Sequence, residues 1–385
     1  MKDFLKKIVS KINLNSKRTK IILVIAIVLV ALFFIGRYFY NQNHISDYSQ
    51  ITILVNNREY VLAEQKLQAL LSNDSSDPYF LILVARTYIG RSGQVGDATI
   101  KKDYLNKAIQ VLNTAEGIND GIGQMYSIKG LAYLYLGEYD FALTYYKKAL
   151  SLEPDSSNFL VDLGNLYLTT NDIAGGFDTF SKILKIDPNN ENAQIGLIRL
   201  YMLQQKYDQA INSSYVLFTT TTNESIKSEL AEIMGSAYLR VNKYVEAKKF
   251  FSYILNGNPN SAFANYGLAE VSFDSSFDLK HIASSTEESR QLALKSVSLD
   301  ATYPYNYVLL ARIALITKNK ADYDKYVNLA KTSLASYAFI LQNQKDNLLK
   351  TIPAFGVVNK NVTIKQTSVT STTTRPQGSI ILRKK

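Results

Sequence analysis

A spacing of 34 residues constrains the fold of this 385-residue chain more than any other sequence feature. The stretch 126–154 carries small residues, tyrosines and a terminal proline at set offsets, and the same residue types return one 34-residue step later. The matching positions are Gly130 and Gly164, Tyr133 and Tyr167, Tyr146 and Phe180, and Pro154 and Pro188. A constant step of this length predicts an array built from repeated structural units.

The residue types within 126–154 predict two antiparallel helices joined by a tight turn. Two helices approach closely only where side chains are small, so Gly130 and Ala142 are expected to mark the crossing. Tyrosines on either side fill the remaining space, since aromatic rings bury a large area. Gly137 supplies the turn. Pro154 ends the second helix because it biases the preceding residue away from helical angles.

This stretch resembles the tetratricopeptide repeat (TPR), a helix-turn-helix unit with an aromatic residue, Leu-Gly, Tyr, Ala, a second aromatic residue and Pro at fixed offsets. Tyr126 stands where the family has Trp, and Lys129 stands where it has Leu. The resemblance implies an all-α fold, a TPR-type α-solenoid. We expect about seven or eight repeats over residues 44–335, and a closing helix with a more polar face over residues 336–350.

The resemblance also implies a ligand site, because the first helices of successive TPR units line a concave groove that holds peptides or partner helices. The candidate groove residues follow each crossing glycine or its equivalent: Arg86, Leu131, Asn165, Arg199, Ser236, Glu270 and Arg312. Asn165 and Arg199 in adjacent units can together hold a carboxylate or a main-chain amide, with the arginine in bidentate contact. The opposing interpretation is that the arginines are simply solvated, as arginines on helices usually are.

The first 40 residues predict a membrane anchor. Residues 1–20 hold seven Lys or Arg and one Asp, and residues 21–35 are all apolar. As a helix, residues 19–40 are about 33 Å long, enough to span a hydrocarbon core of about 30 Å. We expect a basic cytoplasmic segment at 1–20, an uncleaved transmembrane signal anchor at 21–40 and an extracytoplasmic solenoid, since basic residues stay inside. No small-x-small site follows the apolar run, which disfavours the rival interpretation, a cleaved signal peptide.

The net charge of +10 lies at the two ends of the chain. Residues 1–20 carry +6 and residues 351–385 carry another +6, which leaves −2 for the rest. A nucleic-acid-binding protein places a basic face on its folded part, so no nucleic-acid partner is expected. The Ser/Thr-rich tail 351–385 is predicted to be disordered. The alternative is that the tail adds a strand to a partner's sheet.

The composition removes most catalytic chemistry. The chain has no Cys and only two His, His44 and His281, which argues against thiolate metal sites, disulfides, a catalytic cysteine and a histidine site. Acids such as Asp162 and Glu270 belong to no motif, and acids on helices are ordinarily surface groups. The glycines within residues 90–103 precede no Gly-Lys-Ser or Gly-Lys-Thr, so this segment is predicted to be a loop insertion. We expect no catalytic residue, metal or cofactor.

These features predict a membrane-anchored TPR scaffold that binds a protein or peptide and serves envelope assembly, secretion or protein quality control. The alternative is an organelle-membrane receptor that faces the cytosol, like the mitochondrial outer-membrane import receptors, which combine an N-terminal anchor with TPR units. The TPR clamp for chaperone C-termini, which uses paired Asn and Lys, is missing, because Leu131, Asp162 and Gly196 occupy its positions. An enzyme is the least favoured hypothesis, because no catalytic motif is present.

Overall fold

The computed structural model describes residues 48–70, 77–275, 282–336 and 348–352. Every regular element in these ranges is a helix, which confirms the predicted all-α class. No helix in these ranges has both the length and the apolar composition needed to cross a membrane. The segments that lie outside the described residues are the predicted basic segment (1–20), the predicted anchor (21–40), most of the predicted closing helix (336–350) and nearly all of the predicted tail (351–385).

The chain divides into two units, one of residues 1–75 with 381–385 and one of residues 76–380. In the first unit, residues 48–56 are helical, and a turn leads into helix α1 (Tyr60–Leu70). Lys66 on α1 donates a hydrogen bond to Gln50 at 2.8 Å. The two helical stretches of this unit therefore lie side by side.

From residue 78 to residue 336, the described residues of the second unit form fourteen helices in seven consecutive pairs. Each helix contacts the next one along the chain, as in a solenoid of helix-turn-helix units. The pairs are α2 (Pro78–Ser92) with α3 (Ala98–Ile118), α4 (Gly123–Leu136) with α5 (Tyr139–Leu152), α6 (Ser157–Thr170) with α7 (Ile173–Ile186), α8 (Glu191–Leu203) with α9 (Tyr207–Thr220), α10 (Glu224–Arg240) with α11 (Tyr244–Gly257), α12 (Ala262–Ser275) with α13 (Ile282–Leu299), and α14 (Pro304–Ile316) with α15 (Lys320–Ser336).

The first helix of each pair lies on the inner side of this solenoid. First helices of neighbouring pairs contact one another along the whole series from α2 to α14, whereas second helices contact mainly their neighbours in sequence. The closely spaced helices of a curved array lie on its concave side. Burial agrees, because ten of the 15 residues of α2 are buried but only four of the 21 residues of α3 are.

Glycines let an aromatic ring of the second helix pack directly on the backbone of the first. A Cβ atom on Gly130 would lie 2.7 Å from the ring of Tyr146, and Ala142 on the facing helix is fully buried. These contacts confirm the predicted crossing. Phe180 repeats the arrangement one unit later, where a Cβ atom on Gly164 would lie 2.6 Å from its ring. The close approach explains why glycine returns at the 34-residue step.

The turns inside the pairs carry the same repeat in their backbone angles. Gly137 follows α4 in the left-handed conformation, with φ of 80°, as expected of the turn residue. The corresponding residues Asn171, Gln205 and Asn242 have φ of 59°, 59° and 60°. Their spacing is 34, 34 and then 37 residues, and α10 has 17 residues against 14 in α4. An insertion in one helix therefore shifts the register without breaking the array.

The predicted loop insertion at residues 90–103 is wrong. Only residues 93–97 connect α2 and α3. Asp97 caps the N-terminus of α3, because its side chain accepts a hydrogen bond from the backbone amide of Thr99 at 2.8 Å. The helix therefore begins at residue 98, inside the predicted loop. Gly90 lies within α2, where glycine is tolerated at a cost of about 1 kcal/mol relative to alanine. The glycines of this segment therefore do not mark a loop of that length.

The crossing predicts the effect of a larger side chain on α5. Ala142→Leu is expected to lower the free energy of unfolding by about 1–3 kcal/mol, because Ala142 is fully buried and its carbonyl oxygen already lies close to Gly130. Denaturant unfolding followed by circular dichroism measures the change. Lys147→Leu, at an exposed position of the same helix, is the control and should shift stability by about 0.5 kcal/mol or less. Equal stability of the two variants would contradict the crossing.

Candidate protein-binding groove

All seven candidate groove residues lie on first helices. From α2 to α14 they are Arg86, Leu131, Asn165, Arg199, Ser236, Glu270 and Arg312. Arg86 and Glu270 are buried, the other five are half-buried, and Leu131 packs against the hydrophobic core. Arg199, Glu270 and Arg312 form ion pairs with other residues and not with one another. The structure thus places every candidate on a first helix, with Arg86 and Glu270 buried and Leu131 against the core.

Arg199 on α8 is engaged by an acid of the next inner helix. Its Nη2 lies 2.6 Å from Oε1 of Glu229 on α10. The two side chains keep 16% and 18% of their surface exposed, so both charges remain reachable from the groove. A partner carboxylate at Arg199 therefore has to share the arginine with Glu229.

Two further ion pairs follow along α10, α12 and α14. Nη1 of Arg240 lies 3.9 Å from Oε1 of Glu270, and Nη2 of Arg312 lies 3.4 Å from Oδ1 of Asp274. Glu270 and Asp274 are one turn apart on α12, so an arginine on either side offsets their mutual repulsion. Burial raises the pKa of Asp274 to about 6; Arg312 opposes that rise and the charge of Glu270 adds to it. The groove therefore carries alternating charges that are largely paired.

The expectation that acids such as Asp162 and Glu270 are ordinary surface groups is wrong. Glu270 is 7% exposed and faces Arg240, and Asp162 is half-buried. Sequence reasoning also missed Glu229, because its partner comes from the adjacent repeat. The sequence does carry a signal for these pairs, namely opposite charges on successive first helices. Arg199 and Glu229 are 30 residues apart, and so are Arg240 and Glu270.

Asp162 on α6 faces a hydroxyl group instead of an arginine. Its Oδ2 accepts a hydrogen bond from the Ser127 hydroxyl on α4 at 2.5 Å. Burial raises the pKa of Asp162 to about 7, and the hydrogen bond from Ser127 opposes that rise only in part. The residue as a whole keeps part of its surface exposed.

The raised pKa of Asp162 predicts a pH-dependent stability. Folded Asp162 has a pKa of about 7, whereas an unfolded aspartate has one of about 3.9. Between these values the folded chain holds a proton that the unfolded chain has lost, so the contribution of Asp162 is full below about pH 4 and lost as pH rises through about 7. Asp162→Asn should therefore raise the melting temperature at pH 8 and have less effect at pH 5. Melting curves of both proteins across this range test it, and a constant difference would contradict the assignment.

Comparison with known proteins supports the repeat that the sequence resembles. Residues 124–156 match the family model of the tetratricopeptide repeat. An uncharacterized protein, ycf37, of Guillardia theta is 37% identical over 73 residues, which cover 19% of this chain and 41% of that protein. The TPR repeat-containing protein MJ1428 of Methanocaldococcus jannaschii is 24% identical over 227 residues, 59% of this chain and 34% of that one. The chain thus spans less than half the length of these two relatives.

A solved structure shares the fold. The crystal structure of a tetratricopeptide repeat protein from Parabacteroides merdae superposes with a TM-score of 0.52 and 17% sequence identity, over 75% of this chain and 99% of that one. The matched repeat, residues 124–156, is the helix pair α4 and α5 with its flanking turns. The resemblance of residues 124–156 to the tetratricopeptide repeat is therefore confirmed, and the described residues of the second unit form a helical solenoid of TPR-like fold.

Proposed function

We propose that this chain is a protein-interaction scaffold whose concave groove binds a protein or peptide partner. One observation carries the proposal: first helices from α2 to α14 form a continuous inner surface, and half-buried polar side chains such as Asn165, Arg199 and Ser236 lie along it. A concave surface built by repeats is the part of a solenoid that suits extended partners. The TPR-like fold and the family match at residues 124–156 support this function.

The paired charges indicate what a partner has to offer. Arg199 and Glu229 satisfy each other at 2.6 Å while staying partly exposed. A partner that presents both a donor and an acceptor, as a peptide backbone does, bonds to such a pair without separating it. A partner that presents only a carboxylate competes with Glu229 for the guanidinium, which costs part of the existing ion pair.

The binding proposal is tested by blocking the groove. Ser236→Trp places a large ring on the inner surface of α10, whereas Ser151→Trp places the same ring at an exposed position of α5, a second helix. Crosslinking in native membranes followed by identification of partners should recover a partner with wild type and with Ser151→Trp, and much less of it with Ser236→Trp. Equal recovery with both variants would show that the partner binds elsewhere.

The N-terminal sequence supports a location for the scaffold. Residues 21–40 serve as a single transmembrane anchor, residues 1–20 lie in the cytoplasm, and the solenoid lies outside it, because seven basic residues precede the apolar run. A scaffold in this position serves envelope assembly, secretion or protein quality control. Protease added to intact cells should digest the solenoid. A protected solenoid would contradict this topology and favour a receptor that faces the cytosol.

A further inference from the structure

Asp162 differs from the other groove acids in having no positive partner. Glu229, Glu270 and Asp274 each face an arginine. Asp162 receives one hydrogen bond, from the Ser127 hydroxyl, and over the described ranges no lysine or arginine forms an ion pair with it or shifts its pKa. A half-buried carboxylate without a counter-charge is unfavourable.

The hydroxyl group of Tyr146 is a second polar group near Asp162. Tyr146 on α5 is fully buried with its ring against Gly130, and its hydroxyl finds no hydrogen-bond partner in the part of the chain that the structure describes. Burial raises the pKa of Tyr146, and the nearby charge of Asp162 raises it further. The hydroxyl therefore lies near Asp162, but a phenol is neutral when protonated and negative when ionised, so it supplies no positive charge to the carboxylate.

We propose that Asp162 is the anchor for a cationic side chain, lysine or arginine, of the partner that binds in the groove. The inference rests on the proposed function and specifies the chemistry of that partner. The two groups next to the carboxylate, Ser127 and Tyr146, are neutral hydroxyls, so the missing positive charge comes from the partner. The partner group proposed here is positively charged, whereas the sequence suggests that Asn165 and Arg199 bind a negatively charged carboxylate.

The physical gain comes from restoring a counter-charge. A cation within about 4–6 Å of a carboxylate lowers its pKa by about 1–3 units, so binding should return Asp162 from a pKa of about 7 toward its ordinary value. The groups that face it from the packed helices are Ser127 on α4 and Tyr146 on α5, and neither a serine nor a buried tyrosine titrates between pH 5 and 8. Binding should therefore strengthen from pH 5 to pH 8.

A selection of random twelve-residue peptides displayed on phage tests the proposal. The whole chain is used as wild type, as Asp162→Asn and as Asp178→Asn, an exposed acid on α7 that serves as the matched control. Wild type and Asp178→Asn should select peptides with Lys or Arg at one fixed position, and Asp162→Asn should select peptides without it. For a selected peptide, changing that residue to Met should weaken binding to wild type by about tenfold or more and to Asp162→Asn by less than about twofold.

The possible outcomes test the role of Asp162 and binding in the groove separately. Peptides selected by wild type without a fixed basic position, or the same basic position selected by Asp162→Asn, would overturn the role of Asp162 and leave groove binding intact. No peptide selected by wild type would overturn both. A carboxyl-carbon NMR titration of Asp162 with a selected peptide bound gives a second check: its pKa should fall by about one unit or more, and an unchanged pKa would also overturn the proposal.

Discussion

Phe180→Ala is expected to lower the free energy of unfolding by about 3–5 kcal/mol, the largest effect of any single substitution considered. Phe180 on α7 is fully buried. Its ring lies against Gly164 of its own unit and against Gly196 of the next. Since the ring meets the backbone of two helices, these helices can close the cavity only by shifting toward each other. The substitution thus removes contacts within one repeat and between two repeats at once.

Denaturant unfolding of the intact chain measures this loss. Phe141→Ala is the control, because Phe141 is 53% exposed and its ring contacts Tyr133 from one side at 5.1 Å between centroids. That substitution should cost about 1 kcal/mol. If Phe180→Ala lowered the free energy of unfolding no more than Phe141→Ala does, the conclusion that the Phe180 ring packs two repeats together would be contradicted.

Glu116→Gln is expected to lower the free energy of unfolding by about 2–3 kcal/mol, because it leaves a buried ammonium group without its counter-charge. The side chain of Lys129 on α4 is 3% exposed, and its Nζ lies 2.6 Å from Oε2 of Glu116 on α3. Lys148 on α5 bonds the other carboxylate oxygen at 2.9 Å. Three helices therefore meet at one carboxylate. Lys129 also stands where the TPR family has leucine, so this unit replaces an apolar contact with an ionic one.

A double-mutant cycle tests the Glu116 network. Lys129→Met combined with Glu116→Gln should recover much of the stability lost in Glu116→Gln, because no uncompensated buried charge remains and Lys148 is 45% exposed. Burial opposes ionisation of Glu116, yet the hydrogen bonds from both lysines lower its pKa to about 2. The unfolded pKa is about 4.3, so the penalty of Glu116→Gln should shrink as pH falls below about 4. Additive losses in the double variant, or a penalty independent of pH, would contradict the network.

The sequence predicts the fold well because the decisive contacts are local to one repeat. Gly130 and Ala142 meet across a turn of a few residues, and the left-handed turn at Gly137 returns as Asn171 at the 34-residue step. The periodicity also assigns each candidate groove residue to a first helix. A residue such as Ser236 is therefore placed on a first helix by register alone.

Contacts between repeats are not predictable in the same way, because they depend on how far each unit rotates relative to the previous one. Arg199 meets Glu229, and Ser127 meets Asp162, only after that rotation is fixed. The burial that raises the pKa of Asp162 is likewise a property of three packed helices. From the sequence, Asp162 is expected to be a surface group like other acids on helices. In the structure it is half-buried and its pKa is raised to about 7.

Site-specific photo-crosslinking tests most directly whether the partner binds on the inner helices. A photo-reactive amino acid is placed at Ser236 on α10, within the groove, and separately at Val245 on α11, which is 82% exposed on a second helix. In native membranes we expect a crosslinked partner protein from position 236 and none from position 245. A partner captured only from position 245 would contradict the groove as the binding surface.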